Sequence, residues 1–177
     1  MSTRRIGSLV AGLMLCLPAL CAGQIYAGAT VGAGGAQVPV GSITGGFRGA
    51  LRLYGGYEFG PHVAAEVMTL DLGTPTNAGG ANAVSTIGAF GVAAVGTIPV
   101  QRWRFSGRLG VLSMDGRISK TEVTRSPQGM FALGVGFDVT RKLILGLESA
   151  VSHVQFGPPI NDTARVNWTA FTTTYRF

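Results

Sequence analysis

Hydrophobic and polar positions alternate with a period of two in three separate stretches of this chain. From Gly49 to Phe59 (GALRLYGGYEF), Leu51, Leu53, Gly55, Tyr57 and Phe59 share one face, and Ala50, Arg52, Tyr54, Gly56 and Glu58 share the other. From Trp103 to Val111, Trp103, Phe105, Leu109 and Val111 lie opposite Arg104, Ser106 and Arg108. From Phe131 to Val139, Phe131, Leu133, Val135, Phe137 and Val139 lie opposite Gly134, Gly136 and Asp138. A period of two with charges confined to one face predicts β-strands that are apolar on one side. Val63 to Leu72, Ser85 to Ile98 and Leu143 to Phe156 also have strand length, with Glu66 and Glu148 able to face inward, although small residues blur the parity. The last stretch sets Phe171, Thr173, Tyr175 and Phe177 against Ala170, Thr172, Thr174 and Arg176. Gln24 to Gly34, rich in glycine, is read as a strand because closure of a sheet needs one there.

The connections alternate in length. Gly60-Pro61-His62, Pro99-Val100-Gln101-Arg102 and Thr140-Arg141-Lys142 read as short turns. Between them lie longer polar or glycine-rich stretches: Gly34 to Arg48, Gly73 to Val84, Asp115 to Gln128 and Gly157 to Thr163. This predicts an all-β fold: an eight-stranded antiparallel up-and-down meander with both ends on the side of the short turns.

Composition decides what surrounds such a sheet. Charged residues make up 12% of the chain and glycine 28 of 177 residues, where a soluble domain carries about 25% charge and about 7% glycine. Arg4 and Arg5, the apolar run Ile6 to Leu20 and the small residues Cys21-Ala22-Gly23 read as a cleaved secretory signal peptide over residues 1–23, too short for a spanning helix. Cys21 lacks a lipobox before it, and both cysteines, Cys16 and Cys21, leave with the signal or lie at its edge, so the mature segment offers no thiol chemistry. Residues 24–177 contain no apolar run of helical spanning length. An exported apolar chain without spanning helices points to a closed transmembrane β-barrel in a bacterial outer membrane. A secreted lipocalin-like barrel would alternate too. Its wet exterior needs more charge, however, and Tyr57, Phe59, Trp103, Phe105 and Phe137 cluster beside the short turns as an interfacial girdle does.

The segments RLYGGYEFGPHVAAEV, VGTIPVQRWRFSGRLGV, GVGFDVTRKLILGLES and TTYRF, in that order, resemble the OmpA-like transmembrane domain, the eight-stranded barrel family that includes small opacity-type surface proteins. The resemblance covers about Gln24 to Phe177. It implies a surface-interaction or structural role, or a narrow ion-conducting pore. It also implies that Phe171, Tyr175 and Phe177 form the terminal signal read by the barrel-assembly machinery after periplasmic chaperones deliver the chain. The peptidoglycan-binding domain of full-length OmpA proteins is not matched, so cell-wall anchoring is not implied.

An eight-stranded barrel is just wide enough to be filled by its own side chains. Arg52, Glu58, Glu66, Arg104, Arg108, Asp138 and Glu148 are the candidates for its interior, where charges of both signs must pair. The net charge of +6 becomes +4 without Arg4 and Arg5. Arg48, Arg117, Lys120, Arg125 and Arg165 fall at the predicted outer ends, where they are candidates for contact with lipopolysaccharide phosphates. Catalysis is not expected. A lipid A deacylase needs a serine, a histidine and a carboxylate in reach of one another, and only Ser152-His153 near Glu148 is suggestive. Gly32-Ala33-Gly34-Gly35 precedes no predicted helix, so it is no nucleotide loop. No cofactor, metal or nucleic acid is expected, and the barrel is expected to be a monomer.

Overall fold

The computed structural model describes residues 23–37, 44–72, 75–76, 84–118, 121–122, 127–155 and 163–177; the signal peptide expected over 1–23 lies outside them except for Gly23. Eight long strands follow one another: β1 (Gln24–Gln37), β2 (Thr44–Glu58), β3 (Val63–Asp71), β4 (Val84–Val100), β5 (Trp103–Ile118), β6 (Pro127–Asp138), β7 (Leu143–Gln155) and β8 (Thr163–Arg176). Each pairs antiparallel with the next, and β8 returns to β1, so the sheet closes into a barrel. Two two-residue pieces, Pro75–Thr76 on β2 and Thr121–Glu122 on β5, extend the ladder at one end.

The closing seam runs from Tyr26 paired with Arg176 to Gln37 paired with Arg165. The Phe177 N–H continues it by donating to the Ile25 carbonyl at 3.1 Å, and Gln24 Nε2 donates to the Phe177 carbonyl at 3.0 Å. Closure leaves no edge with unpaired backbone groups, which is the condition for a sheet to stand in hydrocarbon.

Several strands outrun their sequence pattern. Within Gly34 to Arg48, expected as a connection, Gly34 to Gln37 pair with Phe47 back to Thr44, and Arg48 with Ala33, in the β1–β2 ladder. Likewise β5 continues through Asp115 to Ile118, and β6 begins at Pro127. Ladder hydrogen bonds need only backbone, so glycine-rich ends extend a strand without any alternation of side chains to announce it. At Gly49 the β1–β2 register slips by one residue, forming a bulge with φ +89° that only a glycine adopts without strain.

The remaining connections at the other end are tight. The β4–β5 turn is shorter than its sequence suggested, because Pro99 and Val100 still pair with Arg104 and Trp103 and leave only Gln101 and Arg102 as the loop. We call this the turn end, and the opposite one the loop end.

Alternation holds along the wall. On β3 exposed and buried residues alternate at every one of its nine positions. Large apolar side chains stay exposed around the outside, among them Val31, Leu53, Val67, Phe90, Leu109, Leu133, Leu147 and Phe171. A belt of this kind on all eight strands suits lipid, not water. At the turn end the outward rings meet edge to face: Tyr57 with Phe59 at 5.2 Å, Trp103 with Phe137 at 5.1 Å and Tyr175 with Phe177 at 5.2 Å between centroids.

Candidate functional site: a charge cage under an apolar plug

Inward side chains fill the barrel in two layers. In the half nearer the turns, Arg52 on β2, Glu66 on β3, Arg108 on β5 and Glu148 on β7 are all buried. Arg52 Nη2 donates to Glu148 Oε2 at 3.0 Å and to Thr30 Oγ1 at 3.3 Å. Arg52 Nη1 and Glu148 Oε1 stand 2.6 Å apart, an ion contact off the hydrogen-bond line. Arg108 Nη1 donates to the same Oε2 of Glu148. On its other side, Arg108 Nε and Nη2 reach the two carboxylate oxygens of Glu66 at 3.0 and 3.3 Å. Tyr26 then donates its hydroxyl to Glu66 Oε1 at 2.8 Å.

The chain Arg52, Glu148, Arg108, Glu66, Tyr26 thus links β2, β7, β5, β3 and β1 across the lumen, tying together strands that are mostly not neighbours. Two arginines and two glutamates leave it neutral. Fork-shaped guanidinium groups suit the shared carboxylates here, since each can hold two acceptors at once.

Two tyrosines pack the cage against the wall. Tyr54 lies beneath both guanidinium groups, with Arg52 Cζ 4.9 Å and Arg108 Cζ 5.8 Å from its ring centre. Its hydroxyl is 2.6 Å from Thr174 Oγ1. Tyr26 and Tyr54 each cover a glycine directly across the β1–β2 ladder, Gly56 and Gly28. A Cβ on either glycine would come within 2.4 Å of the facing ring, so the smallest residue is required for the ring to lie there.

Nearer the turns, a second tier closes the rim. Arg104 Nε donates to Asp138 Oδ1 at 2.7 Å, and Arg176 Nη2 to Glu58 Oε1 at 2.6 Å. Between rim and cage lies a cavity of about 70 Å³, lined by Glu58, Glu66, Arg104, Arg108 and Arg176 among polar residues and by Val135, Ile144 and Leu147 among apolar ones.

Toward the loop end the lumen changes character. On β3, β5, β6 and β8 the inward residues beyond the charged ones are apolar: Met68 and Leu70, Leu112 and Met114, Met130, and Trp168 with Val166, all buried. They pack into one cluster with Leu72. Trp168 Nε1 has no hydrogen-bond partner in this layer among the described residues.

The structure therefore brings together all seven interior candidates, in one cage and two rim pairs. It adds residues the pattern did not single out: Arg176, Tyr26, Tyr54 and Thr30. Arg176 had the signal, since the parity of β8 already put it inside. Tyr54 had it too, on the face of Arg52 and Glu58 in the period-two pattern, whereas Tyr26 had none, and the glycine partners of both are visible only through the β1–β2 register. The apolar plug is a further correction to an interior expected to be polar.

Other candidates lie apart. Arg165 is exposed at the loop end of β8. Arg48 and Arg117 belong to the loop ends of β2 and β5, and Lys120 and Arg125 lie outside the described residues. Phe171, Tyr175 and Phe177 are exposed on the outer face of β8 and its extension. The suggestive Ser152-His153 pair is split by the wall: Ser152 is buried and donates to the Gly129 carbonyl at 2.9 Å, while His153 is exposed. Glu148 is held by two arginines. No cluster of three or more metal-ligating side chains occurs among the described residues.

A closed barrel of eight antiparallel strands, belted with apolar side chains and filled by its own residues, is the architecture of small outer-membrane proteins. The chain belongs to the outer membrane protein beta-barrel domain family, whose pattern matches residues 7–177. Among solved structures it is similar to Neisserial surface protein A, with a TM-score of 0.66, 16% identity, and coverage of 86% of this chain and 97% of that one. It is also similar to OprG from Pseudomonas aeruginosa (TM-score 0.55, 13% identity, 88% and 95% coverage). A third is Ail, the attachment invasion locus protein of Yersinia pestis, in complex with the heparin analogue sucrose octasulfate (TM-score 0.51, 11% identity, 88% and 97% coverage). No curated protein sequence matches the chain. The protein is thus a small β-barrel of the bacterial outer membrane. In barrels of this class the short turns face the periplasm and the long connections the outside.

Proposed function

We propose that this barrel does not conduct and that its role is exercised at the outer surface, as a structural and binding protein in contact with lipopolysaccharide and the surroundings. The observation that supports this is the filled lumen. The small cavity is bounded on one side by the neutral cage, and beyond the cage Met68, Leu70, Leu112, Met114, Met130 and Trp168 occupy the interior. An ion would have to break buried pairs and then cross an apolar layer, which favours the binding reading over the narrow pore.

The outer cations supply the contact. From Tyr175 in the inner girdle to Arg165 is ten residues along β8, or about 25 Å of height at a rise of about 3.4 Å per residue and a tilt of about 40°. That is the height of the apolar band, so Arg165 stands at the outer headgroup level. Arg48, Arg117, Lys120 and Arg125 belong to the same end of the sequence pattern. Ail, which shares the fold, was solved with a polyanionic sulfated sugar; the outer end here sets five cations against Asp71, Asp115, Glu122 and Asp162, so a phosphate is met by individual arginines and not by a uniformly positive surface.

The test is binding of lipopolysaccharide to the folded barrel before and after Arg48, Arg117, Lys120, Arg125 and Arg165 are all changed to Gln. A loss of roughly tenfold or more is expected at low salt, since each exposed contact contributes fractions of a kcal/mol to about 1 kcal/mol. Unchanged affinity would reject the lipopolysaccharide part of the reading.

A further inference from the structure

We propose that the periplasmic rim between the β4–β5 and β6–β7 turns binds the phosphate of an anionic phospholipid in the inner leaflet of the outer membrane. These two turns carry three exposed cations: Arg102 on the first, over the Phe137 ring, and Arg141 and Lys142 on the second, with Lys142 beside the Tyr175 ring. The turns adjoin, because Trp103 pairs with Phe137 and the Asp138 N–H donates to the Arg102 carbonyl at 2.8 Å. The nearby acidic side chains are turned into the lumen, Asp138 toward Arg104 and Glu58 toward Arg176. The patch is left positive.

Arg102 is already fixed in place. Its Nε donates to the Asp138 carbonyl at 3.2 Å and its Nη2 to the Val139 carbonyl at 3.1 Å, while Cζ lies 4.8 Å from the centre of the Phe137 ring. The residue before it, Gln101, holds φ at +56°, a left-handed conformation that few non-glycine residues adopt. A positive φ at the first residue of a two-residue hairpin is what the primed turn geometry requires, so Gln101 is part of the tight turn that carries Arg102. A guanidinium braced by two carbonyls and a ring loses little further freedom when it meets a phosphate.

The second turn is equally ordered. Thr140 Oγ1 accepts from the Lys142 and Leu143 N–H groups at 3.1 and 2.9 Å, and Lys142 Nζ sits 5.7 Å from the Tyr175 ring centre. Trp103, Phe137 and Tyr175 belong to the girdle, and aromatic rings of a girdle settle at headgroup depth. Cations at the adjoining turns therefore stand at the level of lipid phosphates, where a periplasmic protein would be a less immediate neighbour. The remaining short turn, Gly60-Pro61-His62, carries no lysine or arginine, so the site occupies one side of the rim.

The experiment folds the full barrel into bilayers of phosphatidylcholine with a minor share of phosphatidylglycerol, then counts by native mass spectrometry the lipids retained after release. The wild-type barrel should retain phosphatidylglycerol in preference. Arg141→Gln and Lys142→Gln should each weaken that preference roughly fivefold, and the triple variant with Arg102→Gln on the order of a hundredfold, at about one unit of surface attraction per cation. Because Arg102 also braces its turn, the Arg141→Gln/Lys142→Gln pair is the arm that must fold normally and still lose the lipid. His62→Gln, on the short turn that carries no lysine or arginine, should leave retention unchanged. Equal retention of both lipids by the wild type, an unchanged preference in the paired variant, or an equal loss on His62→Gln would each overturn the proposal.

Discussion

Glu148→Gln removes one charge from the centre of the cage and almost no volume. In the wild type its carboxylate meets Arg52 Nη1 at 2.6 Å and also pairs with Arg108, and the side chain is about 1% exposed. Each pair at this range is worth about 4 kcal/mol in an effective dielectric near 20, so about 8 kcal/mol of attraction is lost. Against that, the variant no longer has to desolvate a carboxylate, and repulsion from Glu66 is relieved. The residual cost is about 3–5 kcal/mol, the range found when one partner of a buried pair is removed. The rim offers an internal control: Asp138, about a quarter exposed beside Arg104, should cost only about 1 kcal/mol when changed to Asn. The double variant Arg52→Met/Glu148→Leu leaves Arg108 and Glu66 as a neutral pair, and should cost less than Glu148→Gln alone. Urea titration of the barrel refolded in phospholipid vesicles, followed by tryptophan fluorescence, measures all three. If Glu148→Gln costs no more than Asp138→Asn, or if the double variant costs more than Glu148→Gln, the cage is not the interdependent unit described.

Three other outcomes can be checked separately. Gly56→Ala should destabilise the barrel by about 1–3 kcal/mol through overpacking against Tyr26, and the same substitution in a Tyr26→Ala background should cost much less in the same urea assay. Brominated lipids should quench Trp103 in a Trp168→Phe variant and leave Trp168 unquenched in a Trp103→Phe variant, because the first is outside and the second buried in the lumen; quenching of both would refute the assigned faces. Removal of Phe177 should lower insertion of the barrel in cells while changing its refolded stability by no more than about 1 kcal/mol, measured by heat-modifiable gel migration and urea titration respectively; normal insertion would count against a role in assembly.

The sequence disclosed the wall more fully than its contents. Arg52, Glu58, Arg104 and Arg108 were assigned inward because each alternates with an aromatic or aliphatic residue that must face lipid. That contrast reverses toward the loop end, where Met68, Leu70, Leu112 and Met114 are apolar inside while Thr69, Asp71 and Ser113 stand exposed outside. A rule that sends apolar residues out and polar ones in misreads such a stretch, and the plug stayed hidden. Pairing was hidden for a different reason. Which arginine meets which glutamate depends on the stagger of strands that are not adjacent, and Arg52 meets a residue 96 positions away. The eight strands were countable from turn spacing, but their ends were not, since glycine-rich ladders such as Gly34 to Gln37 are held by backbone alone. Residue types at the rim were legible as charge near aromatics. Their separation into inward pairs and an outward cationic patch needed the fold.

The most direct test of the central claim is electrical. Purified barrel inserted into a planar lipid bilayer at high potassium chloride should give no stepwise single-channel currents, because cage and plug fill the interior in series. Reproducible unitary conductance from folded wild-type protein, absent from an unfolded control, would contradict a sealed lumen and restore the pore as the protein's function.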